Sequence, residues 1–401
     1  MKDSIAEAAA ALGSEPLTEE NVARHIAPLF SRALDSQGIY LANHSLGRPL
    51  DQTALDVAEA VRLWETRLGD AWDDWLVERE AFRGRLARLI NAPRPDCVVP
   101  KTSAGQGLRT VLNALPGRPR VIATRGEFDS VDIILKQYAA RERIQLRWIE
   151  ANENGYFDLE HLSSAAFAGA DLVVVSHVMF VTGQVMRGLP ELANACHANG
   201  ARLLVDAYHS VGVFPVDAAS MSADFLIGGS YKYLRGGPGA GYLYIAPQVL
   251  SSGLEPLDVG WFAKGDPFGF ERPDINSWAA GGDAFLESTP PVLTYYQARA
   301  GQRFALGIGV ERFRTYGLDR LGRLKQHLAD QGVTASGGDS GHGAFLTVPH
   351  PEAGSICREL AERGVQADAR GGLLRICPDC LTREEEMIRA AQAMGCLLRT
   401  S

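Results

Sequence analysis

The stretch from Thr102 to Ile245 constrains the fold most, because short apolar runs alternate there with segments of helical spacing. The apolar runs lie at Arg120–Ala123, Ile144–Ile149, Leu172–Ser176, Arg202–Asp206, Phe225–Gly228 and Ala240–Ile245, and the helical patterns at Ser130–Ala140, Leu159–Ala166 and Leu189–Asn199. A run such as Leu172-Val173-Val174-Val175-Ser176 shows no polar alternation, which is how a strand buried on both faces reads. The order predicts an α/β domain with a mostly parallel sheet covered by helices on both sides. Ligands bind such sheets beyond the carboxyl ends of the strands. The residue that closes each run is therefore where chemistry is to be sought.

Two of those ends carry reactive groups. Leu203-Leu204-Val205 stops at Asp206, and His209 follows in the turn, placed for a hydrogen bond to Asp206 or to a phosphate as well as for proton transfer. Ala223–Gly229 leads into Ser230-Tyr231-Lys232-Tyr233-Leu234-Arg235-Gly236-Gly237-Pro238-Gly239, which seats one lysine between an apolar run and glycine-rich backbone. Burial lowers a lysine pKa and frees an amine that attacks carbonyls, whereas the same lysine in open solvent is an ordinary surface charge. An acid and a lysine in one crevice suit pyridoxal phosphate: the lysine holds its aldehyde and the carboxylate keeps its pyridine nitrogen protonated. Asp206 has a second reading, as the cap of the next helix. A phosphate cradle is offered by Lys101-Thr102-Ser103-Ala104-Gly105-Gln106-Gly107, just before the helical spacing of Leu108–Leu115. Helix N-termini present open N–H groups and partial positive charge to anions. Thr102 or Ser103 serves equally as a plain N-cap.

The rest of the chain narrows the class. A formal charge of −8 with no basic run argues against nucleic acid, and no stretch is apolar enough for a membrane span. Met1-Lys2-Asp3-Ser4-Ile5 lacks the order of a secretory signal, and six scattered cysteines lack a disulfide framework, so the expected compartment is the cytoplasm. Cys377 and Cys380 form a lone CxxC, read as packing, and no metal site is expected. Further helices are expected over Glu19–Leu34, Ala54–Leu68, Val77–Ile90 and from Pro291 towards Tyr316. Asp258–Gly282, rich in Gly, Pro and Trp, reads as a functional loop. Three regions result: an N-terminal segment, 1–50, packing on the small domain; a large domain, 51–300; and a small α+β C-terminal domain, 301–401, with strands at Ala344–Val348 and Leu373–Ile376.

From about Tyr40 onward the chain resembles kynureninase, a fold-type I pyridoxal-phosphate enzyme related to the class V aminotransferases. Asp206-Ala207-Tyr208-His209-Ser210-Val211-Gly212 and Ser230-Tyr231-Lys232-Tyr233-Leu234 carry the resemblance. It implies a large domain on a seven-stranded, mostly parallel sheet, a homodimer with the active site at the subunit interface, and a place in tryptophan catabolism. It implies that Lys232 binds the cofactor aldehyde, that Asp206 pairs with the pyridine nitrogen, and that His209 and Tyr231 lie beside the ring. Thr102 and Ser103 match the phosphate cradle, Phe128 the aromatic that stacks on the ring, and Ser176 a hydroxyl near it. Trp261 and Thr289 match a loop that completes the site from the other subunit, and Arg375 and Ser45 match substrate-binding positions. The implied reaction is hydrolysis of kynurenine or 3-hydroxykynurenine to an anthranilate and alanine, with Lys232, Tyr231 and Asp206 catalytic. Plain readings stand beside these: Phe128 as a core aromatic, Trp261 as an interface anchor, Arg375 as an ion-pair partner, His44 and His177 as structural.

Three departures mark the site. His44-Ser45-Leu46-Gly47 replaces an Asn-Ser-Leu-Gly stretch, Asp129-Ser130-Val131-Asp132 follows Phe128 where an aspartate is expected closer, and Arg235 stands where asparagine is common. His44 and Arg235 are expected to alter the acyl-side pocket or the dimer contact. A class V aminotransferase would need an amino acceptor. A cysteine desulfurase or β-lyase would need a mobile cysteine from Cys357, Cys377 or Cys380. A cofactor-free binding protein on the same fold would leave Lys232 unmodified.

Overall fold

The structure, a computed structural model, describes residues 3–36, 38–269, 272–275 and 277–398. Met1 and Lys2, position 37 of the 1–50 segment, positions 270, 271 and 276 of the 258–282 loop, and the last three residues of the 301–401 region lie outside the described residues.

Seven strands form the main sheet: β1 (Val98–Lys101), β2 (Arg120–Thr124), β3 (Gln145–Ile149), β4 (Leu172–Ser176), β5 (Arg202–Asp206), β6 (Phe225–Gly229) and β7 (Gly241–Ile245). Their spatial order is β1-β7-β6-β5-β4-β2-β3. β7 runs antiparallel to both neighbours, and the other pairings are parallel. The exception has a simple cause, since only residues 230–240 connect β6 to β7 and a parallel crossover needs a dozen or more. Alternation within the apolar runs sends Leu172, Val174 and Leu204 into one core and Val173, Val175, Leu203 and Val205 into the other. β3 forms one edge and shows the half-exposed alternation of an edge strand. β1, with Pro100 and Lys101, forms the other edge and is not legible as a strand in the sequence.

Three expected helices differ. Over Glu19–Leu34 the chain makes four short pieces, including a π-turn at Val22–Ile26 and a 3-10 turn at Ala27–Phe30, because Pro28 has no N–H to continue the ladder. The helix from Pro291 breaks at Gly309, whose φ of 101° no other residue adopts readily, into Val292–Ile308 and Val310–Asp330. The helix expected from Val77 begins at Ala71 instead. Val292–Ile308 packs on Gln52–Arg67 and Ala71–Leu89, and Val310–Asp330 packs on Glu384–Leu398. A three-stranded antiparallel sheet holds β8 (Leu346–Pro349), β9 (Asp368–Arg370) and β10 (Leu373–Ile376) in the order β9-β10-β8. N-terminal Ile5, Leu12, Ile26 and Phe30 join Phe304, Ile308 and Phe313 in one buried cluster. Ile39–Tyr40 pairs parallel to Val365–Gln366, and the following residues, His44 to Gly47, lie between the Lys232 loop and the C-terminal region. Among the described residues no helix is long and apolar enough to cross a membrane.

Candidate active site

β5 and β6 are hydrogen-bonded neighbours, so the residues that follow them share one space. Asp206 closes β5, and its Oδ1 accepts the Tyr208 N–H at 2.9 Å. β6 runs out in Gly228 and Gly229, where any Cβ would collide with the rings of Tyr242 and Tyr208. The loop beyond is closed by the Ser230 N–H to Ala240 O (2.9 Å) and the Gly236 N–H to Ser230 O (2.6 Å). Lys232, only 6% exposed, projects from this loop with Nζ 2.5 Å from His209 Nε2. Burial pushes the lysine down to about 7 against the pull of Asp206, and Arg375 adds to the lowering. Burial likewise drives His209 well below its ordinary range, so the ring is neutral, with Nε2 paired to the lysine and Nδ1 buried without a partner. Of the alternatives the sequence leaves to His209, the hydrogen bond to Asp206 is not made, because Nε2 turns to the lysine.

These groups line a cavity of about 280 Å³, near the lower end for small-molecule sites. Thr102, Ser103, Phe128, Ser176, Asp206, His209, Tyr231 and Lys232 all lie on its wall. Ser103 also caps the helix Ala104–Ala114, accepting the Gln106 N–H at 3.2 Å. Thr102 gives both its N–H and its hydroxyl to Gln106 Oε1 (2.7 and 2.9 Å). The Phe128 ring lies 5.7 Å from Lys232 Nζ and meets Phe180 edge-on. Burial raises Asp206 to about 6, with the Tyr208 N–H and Lys232 opposing, and raises the Tyr231 phenol to about 12, so that it keeps its proton.

Four expected residues stand elsewhere. Trp261 and Thr289 do not line the cavity of their own chain. Trp261 Nε1 donates to Thr289 Oγ1 at 3.2 Å, and the indole packs with Trp72, Phe262 and Phe268. Arg375 sits behind the wall, donating to the carbonyl of cavity-lining Phe180 and to Asp368. Ser45 does not reach the cavity either; its hydroxyl donates to Asp368 Oδ2 at 2.6 Å. His44 Nε2 is 3.4 Å from the same oxygen, and its ring stacks on Phe345. Burial alone would raise Asp368, but His44, Ser45 and Arg375 outweigh it and hold the carboxyl well below its usual range. Arg235 is buried on Asp379, between the rings of Phe30 and Phe304, and does not line the cavity of its own chain. His177 packs against Phe214. Glu127 and Asp368 escape the sequence reading, since an acid just after a strand or within a short hairpin is an ordinary exposed residue.

Whether the cavity suits pyridoxal phosphate is decided by its donors. A buried amine with a lowered pKa, a buried carboxylate and the start of a helix meet in one space, and the small residues Ser103, Ala104 and Gly105 line it at that helix start. Small side chains there let a phosphate approach the helix start, and the residues fit the cofactor. No cysteine lines the cavity among the described residues; Cys377 is buried, with Sγ donating to Ala344 O. No group of three or more His, Cys, Asp or Glu side chains among the described residues could hold a metal ion.

Sheet, strand-end carboxylate and loop lysine define a pyridoxal-phosphate enzyme of the fold-type I class. The aminotransferase class-V family model matches residues 74–342, and the chain belongs to that family. It is 29% identical to a kynureninase of Pseudomonas fluorescens over 86% of this chain and 85% of the relative. It is 26% identical to an uncharacterized aminotransferase of Bacillus subtilis over 87% and 93%. Among solved structures it is similar in fold to a variant of the cystine C-S lyase C-DES with glycine covalently linked to its pyridoxal phosphate, with TM-score 0.83, 21% identity and coverage of 92% and 98%.

Proposed function

We propose that this enzyme hydrolyses the Cβ–Cγ bond of kynurenine or 3-hydroxykynurenine, giving an anthranilate and alanine. The observation that carries the reading is that the Lys232 cavity holds a protonated phenol, Tyr231, and no cysteine among the described residues. That is equipment for acid–base and hydrolytic work, whereas sulfur transfer needs a thiol, and burial raises the thiols of Cys357, Cys377 and Cys380. The kynureninase relative, aligned over most of both chains, supports the same reading.

Bound pyridoxal phosphate supplies an aldehyde for the substrate amine and an electron sink for a carbanion at Cα. Thr102 and Ser103 hold its phosphate and Phe128 covers its ring. Asp206 holds a proton on the pyridine nitrogen, a charge that draws its own raised pKa back down. Lys232, with a pKa near neutrality, takes the proton from the substrate Cα, and neutral His209 steadies the amine through Nε2. Arg375 would bind the substrate carboxylate as a two-donor fork only by exchanging its present partners, the Phe180 carbonyl and the Asp368 carboxylate that Ser45 also holds. Tyr231 gives a proton as water adds at the γ-carbonyl and the Cβ–Cγ bond breaks. Trp261 and Thr289 of one subunit complete the site of the other in a homodimer, in the cytoplasm.

The test incubates purified, cofactor-loaded protein with kynurenine and with 3-hydroxykynurenine and follows fluorescent anthranilate. Turnover of either supports the reading. Amino exchange with pyruvate and no anthranilate overturns it in favour of an aminotransferase.

A further inference from the structure

A second carboxylate lies behind the cavity wall. Glu127 is 3% exposed, between the ends of β2 and β4. Its Oε1 accepts from the Thr124 hydroxyl (2.5 Å) and the Ser176 N–H (3.3 Å), and its Oε2 from the Ser176 hydroxyl (2.6 Å). Ser176 is the register partner of Asp206 across β4 and β5, and both line the cavity. Glu127 therefore touches the site through one hydroxyl that stands beside the residue that holds the pyridine proton.

A serine hydroxyl has one hydrogen. With Glu127 ionised, that hydrogen is committed to Oε2, and Ser176 shows the cavity only lone pairs. With Glu127 protonated, the acid donates to Ser176 Oγ, and the serine hydrogen turns into the cavity. We propose that Glu127 is a positioning residue whose own proton decides whether the Ser176 hydroxyl meets the cofactor as an acceptor or as a donor. Burial raises Glu127 to about 7, with the Ser176 and Thr124 hydrogen bonds opposing and the Asp206 charge adding to the rise. The two forms then exchange near neutral pH. The Asp206 charge acts on Glu127 from the end of β5, one strand beyond Ser176, and Lys232 and His209 share the cavity with Asp206; Thr124 and Ser176 do not titrate in this range.

The proposal rests on the cofactor filling this cavity and not on the choice of amino-acid substrate. Cofactor-loaded wild type, E127Q and S176A are titrated without amino acid from about pH 5 to about pH 9. Visible absorbance and the infrared carbonyl band of a protonated carboxyl are followed together. In wild type the band fades near neutral pH in step with one component of the absorbance change. E127Q, whose amide donates to Ser176 at every pH as the protonated acid does, lacks both band and component. S176A keeps a titrating band but loses the absorbance component, and it stands as the test if E127Q does not fold. Components from Lys232 or Asp206 persist in both variants. The proposal is overturned if no such band titrates in wild type, or if E127Q or S176A retains the coupled component. No substrate is present, so failure to turn over kynurenine is a separate result.

Discussion

At the residue scale, the site is a set of ionisable groups moved off their ordinary pKa values by the same burial, with opposite consequences for stability. Glu127, raised from 4.5 to about 7, binds its proton more tightly folded than unfolded, so its contribution is present below about 4.5 and lost as pH rises through about 7. Lys232, lowered from 10.5 to about 7, contributes above about 10.5 and loses that contribution as pH falls through about 7. In thermal melts of cofactor-free protein, the Tm of wild type relative to Glu127→Gln is expected to fall between about pH 4.5 and about pH 7 and then level off. Relative to Lys232→Met it is expected to rise between about pH 7 and about pH 10.5. Flat differences over both windows would show that neither group is buried as described. The types of Lys232 and Asp206 and their places at strand ends were open to the sequence. The Lys232–His209 contact was not, because it depends on which way a ring turns in a closed space.

At the element scale, one segment ties the N-terminal region to the catalytic loop. The Gly47 N–H donates to Tyr231 O at 2.8 Å, and a Cβ on Gly47 would sit inside the Lys232 carbonyl oxygen. His44-Ser45-Leu46-Gly47 thus lies on the backbone of the loop that presents the lysine, and it carries the Ser45 and His44 contacts to Asp368. Gly47→Ala is expected to destabilise the protein by about 1–3 kcal/mol through overpacking, read as a lower denaturant midpoint. It is also expected to raise KM, since Asp368 and Arg375 lose their support; unchanged midpoint and KM would refute the close approach. His44 reaches Asp368 and not the cavity wall, while Arg235 serves an ion pair with Asp379 that joins the β6–β7 loop to the C-terminal region. Nothing local in the sequence pairs Arg235 with a residue so far along the chain.

At the scale of the whole molecule, the sheet brings eight expected residues onto one wall, and one chain leaves Trp261 and Thr289 off it. If these two act across a subunit interface, a purified hybrid of one Lys232→Ala subunit and one Trp261→Ala subunit has one intact site of two. Its activity is expected near about half that of wild type, although each parent is impaired. A hybrid no better than its parents would place Trp261 and Lys232 in the same site of one chain. The fold class was legible because buried parallel strands must be apolar throughout, and because β5 and β6 must deliver whatever follows them to a common edge. The helix breaks at Pro28 and Gly309 were missed because apolar spacing continues across both. The sequence by itself determined the sheet, the lysine and carboxylate at its rim and the cofactor chemistry they suit, since each depends on residue type and near neighbours. Only the tertiary structure decided that Glu127 stands behind Ser176, that Asp368 occupies Arg375 and that Arg235 turns away from the site. Those pairings join residues remote in the chain, and the packing of the whole molecule, not any local pattern, selects them.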